Sequence, residues 1–546
     1  MFKYIITFNL LFVFLFSNEI KPIQFKDDDA LSRVTPKLHK NSHIKVFLPS
    51  IPYSYIAKNT NAGLIRSDDN KQGWSYDLAV SHERIDDFTY IFELRKNLKF
   101  QDGSPLDINS VIKNLNHFKK NPFLYTNIDK IDFTVTKISK YKFQIKLKQK
   151  YEMFFLDLAR IYFYTDEYLK NYSPKGEETG SATTIAGTFG TGPYILKSGY
   201  ALGEKQSEKI ELVANPYYWD KRYPKINKVT VYTQLNMNKA LDYVTNYEGK
   251  LDISPIAFNK KIDTILSNHA KLVIRKSTNN FIIYFNLING NKSLKNKKVR
   301  QALNQALNQE NLLNFVYKKE GKISPFTTSI NYNIVQKIAD KKEYPVNTLS
   351  QENIKKLLTG LTLKIVTQDR FMFLWKGIEF QLRQYGVKLV FDITTSEKDI
   401  YKQLFHKKSW DILTWGDDDW YYKNPWTVFF IYEYNSPWST IPYDKVMQHN
   451  INKLFVTKID TKEYEEVVTN ILYRAKNMAY TLTVPSPNKV IAVNKEVIYN
   501  PSKGGIIPLW KIQITKDHWS IRGDKNCPKH LKTPIKPKRV KDETNK

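Results

Sequence analysis

The chain has 546 residues, of which 42% are hydrophobic, 14% aromatic and 25% charged. That length suggests about three or four domains at ~150 residues each, and the composition excludes a disordered chain, a fibre and a polytopic membrane protein. Lys and Arg number 84 against 54 Asp and Glu, a formal charge of +30; such a field favours anionic partners, but the lysines are spread along the chain and read as base composition, so no nucleic-acid partner is expected.

The first residues argue for export. Met1-Phe2-Lys3 carries a positive charge, Ile5 to Phe16 is an apolar run broken only by Thr7 and Asn9, and Ser17 offers a small residue for cleavage. The run is too short to span ~30 Å of hydrocarbon, so residues 1–17 read as a cleavable signal peptide and the protein as periplasmic. The single cysteine, Cys527, excludes an internal disulfide and a cysteine-based zinc site.

Ile44 to Leu48 reads as a first strand, ended by Pro49 and Pro52. Thr89 to Arg95 alternates, with Tyr90, Phe92 and Leu94 on one face, as a half-buried strand does. Asp102-Gly103 is a turn signal, and Asp107 can cap a helix carrying Ile108, Val111, Ile112, Leu115 and Phe118 on one face. Phe143, Ile145 and Leu147 mark another strand. Gly176 to Thr191, rich in Gly, Ser and Thr, reads as a crossing between domains. Ile282 to Phe285 is a short buried strand, and Lys297 to Phe315 one helix with Val299, Ala302, Leu303, Ala306 and Leu307 inward. From residue 352 the pattern alternates: helix 352–359 stopped by Gly360, a strand through Leu361, Leu363 and Ile365, helix 371–385 stopped by Gly386, then strands Val387 to Ile393 and Asp411 to Trp415. Such alternation implies βαβ units and a partly parallel sheet, so the fold class is α/β. Glu463 to Tyr480 is a last long helix, and residues 521–546, rich in Lys, Arg and Pro, read as a basic flexible tail.

Motifs for catalysis are missing. His82-Glu83 lacks the second histidine of a zinc-protease helix, there is no G-x-S-x-G, and Gly249-Lys250 lacks the upstream glycine of a phosphate loop. Gly187 to Gly192 superficially matches a dinucleotide loop, but Pro193 follows and Tyr194-Ile195-Leu196 reads as a strand, not a helix. The chain is expected not to be an enzyme, and neither cofactor nor protein-held metal is expected.

Several segments, in order, resemble the family 5 extracellular solute-binding proteins of peptide and nickel ABC importers. They are Tyr76-Asp77-Leu78-Ala79 with Asp87 to Arg95, Leu98 to Leu106, Gly190-Thr191-Gly192-Pro193-Tyr194, Asn215-Pro216-Tyr217-Tyr218-Trp219, Tyr284-Phe285-Asn286 and Lys298-Val299-Arg300-Gln301-Ala302-Leu303. The resemblance runs from about residue 44 to 515 and implies a two-lobed periplasmic-binding-protein-like fold (type II, cluster C) with an extra inserted domain. It implies lobe 1 from residues 18–70, 185–275 and 485–520, the inserted domain at 71–184, and lobe 2 at 276–484. It further implies a monomer that closes on a small-molecule ligand, a short peptide or a metal chelate, and docks on an ABC permease of the inner membrane. Two other readings are a cytoplasmic solute-sensing transcriptional regulator and a hydrolase on the same scaffold.

For the ligand site the resemblance points to the end of the strand Asp411 to Trp415, where Gly416-Asp417-Asp418-Asp419-Trp420 follows. Trp415 and Gly416 match the Trp-Gly pair that packs over the chelate in nickel binders. One aspartate of 417–419, Asp418 by its spacing from Trp415, matches the residue that holds the amino terminus in peptide binders. Trp426 stands where nickel binders place a histidine. Arg160 lies near the arginine that receives a chelator carboxylate, offset by about two residues. Tyr53 and Tyr55 follow the first strand where the family lines its cleft. The bland alternatives are a solvated acidic turn and an aromatic core.

Overall fold

A computed structural model describes residues 38–49, 52–70, 72–121, 127, 131–173, 183–202, 205–256, 267, 269–346, 348–395, 397–406, 410–417, 424–504, 507–523 and 538–539. The expected signal peptide and Asp418, Asp419 and Trp420 lie outside the described residues.

Among the described residues three larger sheets and two two-stranded ones organise the chain. The largest has eleven strands, nine of them in the order Lys205–Gln206, Tyr194–Leu202, Lys209–Ala214, Ile226–Tyr232, His39–Phe47, Ile253–Pro255, Ser486–Asn494, Ala270–Lys276, Lys538–Arg539. Its central strand shows why it forms. Ile44 and Val46 pack with Leu212, Val229 and Val231 on one face, whereas Phe47 meets Ala240, Leu272 and Ala492 on the other. The period of two thus buries both faces, as suits a strand paired in parallel on each side. Pro52 does more than end this strand. It opens the helix Pro52–Thr60, where its missing N–H costs no hydrogen bond.

The burial of His43 in this strand has a consequence in solution. Its Nε2 lies 2.8 Å from Thr230 Oγ1 and its ring edge packs on Trp519. Burial, then Lys228 and Lys45, lower its pKa to about 4. A folded-state value below the unfolded one gives stability that is complete above the unfolded pKa of 6.5 and is lost as pH falls through about 4. Wild type is therefore expected to lose about 2 kcal/mol more than His43→Gln between pH ~7 and ~4, after discounting for partial exposure. Urea unfolding of both proteins across that range measures it, and parallel curves would count against the assignment.

The four-stranded sheet, in the order Ala79–Arg84, Thr89–Leu94, Lys142–Leu147, Phe133–Lys137, lies in sequence between strands of the large sheet. The strand expected at 89–95 is its second member, with Tyr90, Phe92 and Leu94 buried. Asp107 caps the helix Ile108–Lys120 by accepting a bond from Ser110 N at 2.9 Å.

The five-stranded sheet has the order Lys388–Thr394, Thr362–Gln368, Ile412–Asp417, Asn280–Phe285, Thr481–Leu482. Gly360 and Gly386 end helices at φ +77° and +79°, a left-handed conformation that glycine adopts without steric cost. The chain passes from the large sheet to this one over residues 277–279 and returns over 483–485. One loop knits the crossings together: Ser329 N donates to Asn280 Oδ1 at 2.6 Å, Ser329 Oγ to Ser277 O at 3.0 Å, and Ile330 N to Ser486 Oγ at 3.2 Å.

Three expectations need correction. The helix expected over 297–315 is Lys297–Gln305, then a restart at Gln309–Asn311 and a widened π-turn over Leu312–Val316. The apolar period hides the break. Asn308 N donates to Gln381 Oε1 at 2.5 Å and Asn308 Oδ1 caps the restart at Asn311 N. The Gly176–Thr191 stretch is not simply a crossing, since Thr183–Gly187 pairs with Tyr194–Leu202. The tail is not wholly free either. Trp519–Arg522 is helical, and Lys538–Arg539 pairs in parallel with Val273 and Ile274. There the chain satisfies the open edge of the Ala270–Lys276 strand, and the Arg539 guanidinium grips the buried Glu320 carboxylate at 2.7 and 3.0 Å.

Candidate ligand-binding site

In open α/β sheets the crevice beyond the carboxyl ends of parallel strands is the natural place for a ligand. Thr362–Gln368 runs parallel to both Lys388–Thr394 and Ile412–Asp417. Its carboxyl end carries Gln368, then the exposed Asp369 and Arg370. Arg370 Nε donates to Gln368 Oε1 at 2.9 Å, and its guanidinium lies 4.9 Å from the Phe371 ring centroid. The neighbouring carboxyl end is Gly416-Asp417. The Asn280–Phe285 strand pairs antiparallel with it, setting Asn280 opposite Asp417 and Phe281 opposite Gly416. The first crossing between sheets therefore lands directly on this edge.

Trp415 sits one step back and is 2% exposed. It stacks on Trp438 at 5.2 Å between centroids and meets Phe430 and Tyr401 edge-on. Its indole Nε1 is buried without a hydrogen-bond partner among the described residues, a state that costs ~1–3 kcal/mol. Gly416 leaves room for the buried Phe371 ring, because a Cβ there would stand 2.8 Å from Phe371 Cζ and push the ring aside.

Of the residues expected from sequence, Trp415 and the backbone of Asp417 lie together at this edge. The side chain of Asp417, and all of Asp418, Asp419 and Trp420, lie outside the described residues. Arg160 and Tyr55 sit across the crossings, on the other two sheets' side. Arg160 is a buried cation, 6% exposed, after the helix Phe154–Leu158. Its segment lies against Ala62 and Gly63, with Phe163 N donating to Ala62 O at 2.9 Å. Tyr55 is half-buried and packs on the core of the large sheet. Tyr53 falls in the Pro52–Thr60 helix, and its side chain lies outside the described residues. Trp426, at the position of the nickel binders' histidine, is buried against Phe455 with 4.6 Å between centroids.

Sequence reading missed Gln368, Arg370 and Phe281, whose ring meets Phe371 edge-on at 5.3 Å between centroids. Asp369 and Arg370 open the one-turn junction between a strand and a helix, and no local pattern separates them from the chain's other charged residues. Among the described residues no three His, Cys, Asp or Glu side chains gather as a metal site, and no helix is long and apolar enough to cross a membrane.

The motifs behind the resemblance meet in a second cluster. Asp77 Oδ1 accepts bonds from Arg66 at 2.6 Å and Trp219 Nε1 at 2.8 Å, and Arg66 also donates to Tyr218 Oη at 2.8 Å. Arg95 lies over the Trp219 ring at 3.6 Å and donates to Asp77 O at 2.6 Å. The cluster joins the start of the four-stranded unit to the large sheet.

Residues 74–440 match the family described as bacterial extracellular solute-binding proteins, family 5 Middle. The chain belongs to this family. It is 26% identical to the nickel-binding protein NikA of Staphylococcus aureus over 304 residues, 54% of this chain and 55% of that protein. It is also 26% identical to the glutathione-binding protein GsiB of Escherichia coli over 330 residues, 57% of this chain and 59% of that protein. The chain thus spans little more than half the length of these curated relatives. Among solved structures, S. aureus NikA in complex with nickel and L-histidine matches with a TM-score of 0.70 at 20% identity, covering 87% of this chain and 100% of that one. The oligopeptide-binding protein AppA of Bacillus subtilis, in complex with a nonapeptide, matches with a TM-score of 0.70 at 18% identity, covering 88% of this chain and 100% of that one. These likenesses fix the fold as the two-lobed α/β type of periplasmic binding proteins.

Proposed function

We propose that this chain is the periplasmic substrate-binding component of an ABC importer. It captures a short peptide or a nickel–chelate complex between its lobes and delivers the guest, chemically unaltered, to an inner-membrane permease. The observation that carries this reading is the register of Asn280 opposite Asp417, which puts a crossing between two sheets on the carboxyl edge of the parallel strands. A guest held there and touched by the other lobe stabilises the closed arrangement, because only that arrangement makes both sets of contacts. Trp415, Asp417, Asp418, Asp419 and Trp420 would line one side, with Arg370; Arg160, Tyr53 and Tyr55 would line the other. Carboxylates answer an ammonium or a cationic chelate, and the arginines answer a carboxylate, a set that suits a guest bearing both charges.

Native mass spectrometry of protein purified from a periplasmic extract, with elemental analysis for nickel, tests the proposal. The expected result is an adduct with the mass of a short peptide or a chelate. A bare mass in every preparation, together with no saturable calorimetric signal for peptides or nickel–histidine, would overturn it.

A sharper prediction concerns the unpartnered indole N–H. Trp415→Phe keeps an aromatic ring in the cage and removes the orphan donor. It is expected to leave stability within ~1 kcal/mol of wild type while weakening capture of the co-purified guest about three- to tenfold, the worth of one hydrogen bond. Thermal unfolding and calorimetry separate the two effects. Unchanged affinity would remove this N–H from the site.

A further inference from the structure

A cavity of about 280 Å³ opens in the five-stranded lobe and shares no residue with the carboxyl-edge crevice. Its walls come from the ends of the helices Lys297–Gln305 and Lys462–Met478, from Thr481 and Thr483, and from the Pro325–Thr328 loop. Lys476 stands where it meets an outer vestibule that also contains Asp340.

Lys476 lies 5.2 Å above the Tyr344 ring and donates to Pro325 O at 3.0 Å. Among the described residues no carboxylate pairs with it. Burial pushes its pKa down, with no acid to pull it back. An ammonium has three donors, so two remain for an occupant. The amide acceptors nearby are already used: Asn304 Oδ1 accepts from Thr483 N at 2.9 Å, Gln305 Oε1 from Leu349 N at 3.2 Å and Gln309 Oε1 from Ser324 N at 3.3 Å. The cavity therefore offers spare donors and a positive charge, which select an anion. Phe326, Leu472 and Tyr432 give it an apolar wall. Its volume of about 280 Å³ lies just below the ~300–1,000 Å³ of drug-sized ligand pockets, which suits a small occupant, and Asp340 in the vestibule disfavours a second negative charge.

From this geometry we infer that the cavity binds a small monocarboxylate with an apolar body, its carboxylate on the Lys476 ammonium. The occupant would also sit next to the two crossings between the sheets. Thr481 and Thr483 run into the return crossing, and the Pro325–Thr328 loop leads to Ser329 and Ile330, which bond both crossings.

Benzoate and succinate serve as probes in ligand-observed NMR titrations of the full chain. Benzoate is expected to bind saturably and succinate far more weakly. Lys476→Met, which keeps the stem and removes the charge, should weaken benzoate roughly ten- to hundredfold, as loss of a charge-assisted hydrogen bond does. Should that variant fail to fold, threonine-methyl labelling of wild type decides: Thr327, Thr328, Thr481 and Thr483 line the cavity, and benzoate must shift their signals. Equal benzoate affinity in wild type and Lys476→Met, or titration that leaves those methyls unmoved, overturns the inference.

Discussion

Replacing Asp77 with alanine is expected to lower the unfolding free energy by about 3–5 kcal/mol, the usual cost of stranding one member of a buried ion pair. Asp77 is fully buried and accepts from Arg66 and from Trp219 Nε1. Burial pushes its carboxyl pKa up, against the pull of Arg66. Desolvation of both groups offsets part of their attraction, so the pair adds less stability than its 2.6 Å contact alone would suggest. The loss on truncation arises instead from what is left behind: the charge of an Arg66 side chain that is only 17% exposed and an indole N–H without an acceptor. That origin has a distinctive signature. Arg66→Met in the Asp77→Ala background should recover part of the loss, because it removes the stranded charge. Chemical denaturation of the two single variants and the double one gives the cycle. A double variant no more stable than Asp77→Ala would show that the loss comes from packing and not from the abandoned cation.

The same cluster shows what was legible in the sequence. Tyr76-Asp77 and Tyr218-Trp219 stand out through their resemblance to family motifs, and they read as scaffold. That they touch is a contact across 142 residues, which no local pattern encodes. Elements set by their own period and caps, such as Thr89–Leu94 and the helix begun by Asp107, are legible because both signals lie within a few residues. The break after Gln305 is not, because Gln381, which binds the backbone of Asn308 there, lies 73 residues beyond Asn308. At the candidate site Trp415 is legible through the Trp-Gly pair. Arg370 is one of 84 basic residues, and only the strand ending at Gln368 sets it apart. The tail strand at 538–539 is equally hidden, since its partner is an edge formed 265 residues earlier.

Asp252→Ala is the second large effect, again about 3–5 kcal/mol at neutral pH. This carboxylate has no solvent exposure and ties two strands of the large sheet to the helix Trp519–Arg522. Oδ2 accepts from Lys45 N at 2.8 Å; Oδ1 accepts from Asn494 Nδ2 at 3.0 Å and Trp519 Nε1 at 2.9 Å, and lies 3.2 Å from His518 Nε2. Two strands and the helix Trp519–Arg522 with its cap His518 thus converge on two oxygen atoms, and alanine would leave these buried and half-buried groups without their acceptor. Burial, the largest single influence, pushes the Asp252 pKa up, but His518, Trp519 and the Lys45 N–H together hold it below the ordinary 3.8. A folded-state pKa below the unfolded one means that the contribution is complete above 3.8 and is lost as pH falls through the folded value. The gap between wild type and Asp252→Ala should accordingly be widest near neutrality and shrink as pH drops below ~4, where the unfolded carboxylate takes up a proton first. Urea unfolding of both proteins across that range is the measurement. A gap independent of pH would mean that the carboxylate acts through its shape alone, with no part played by its charge.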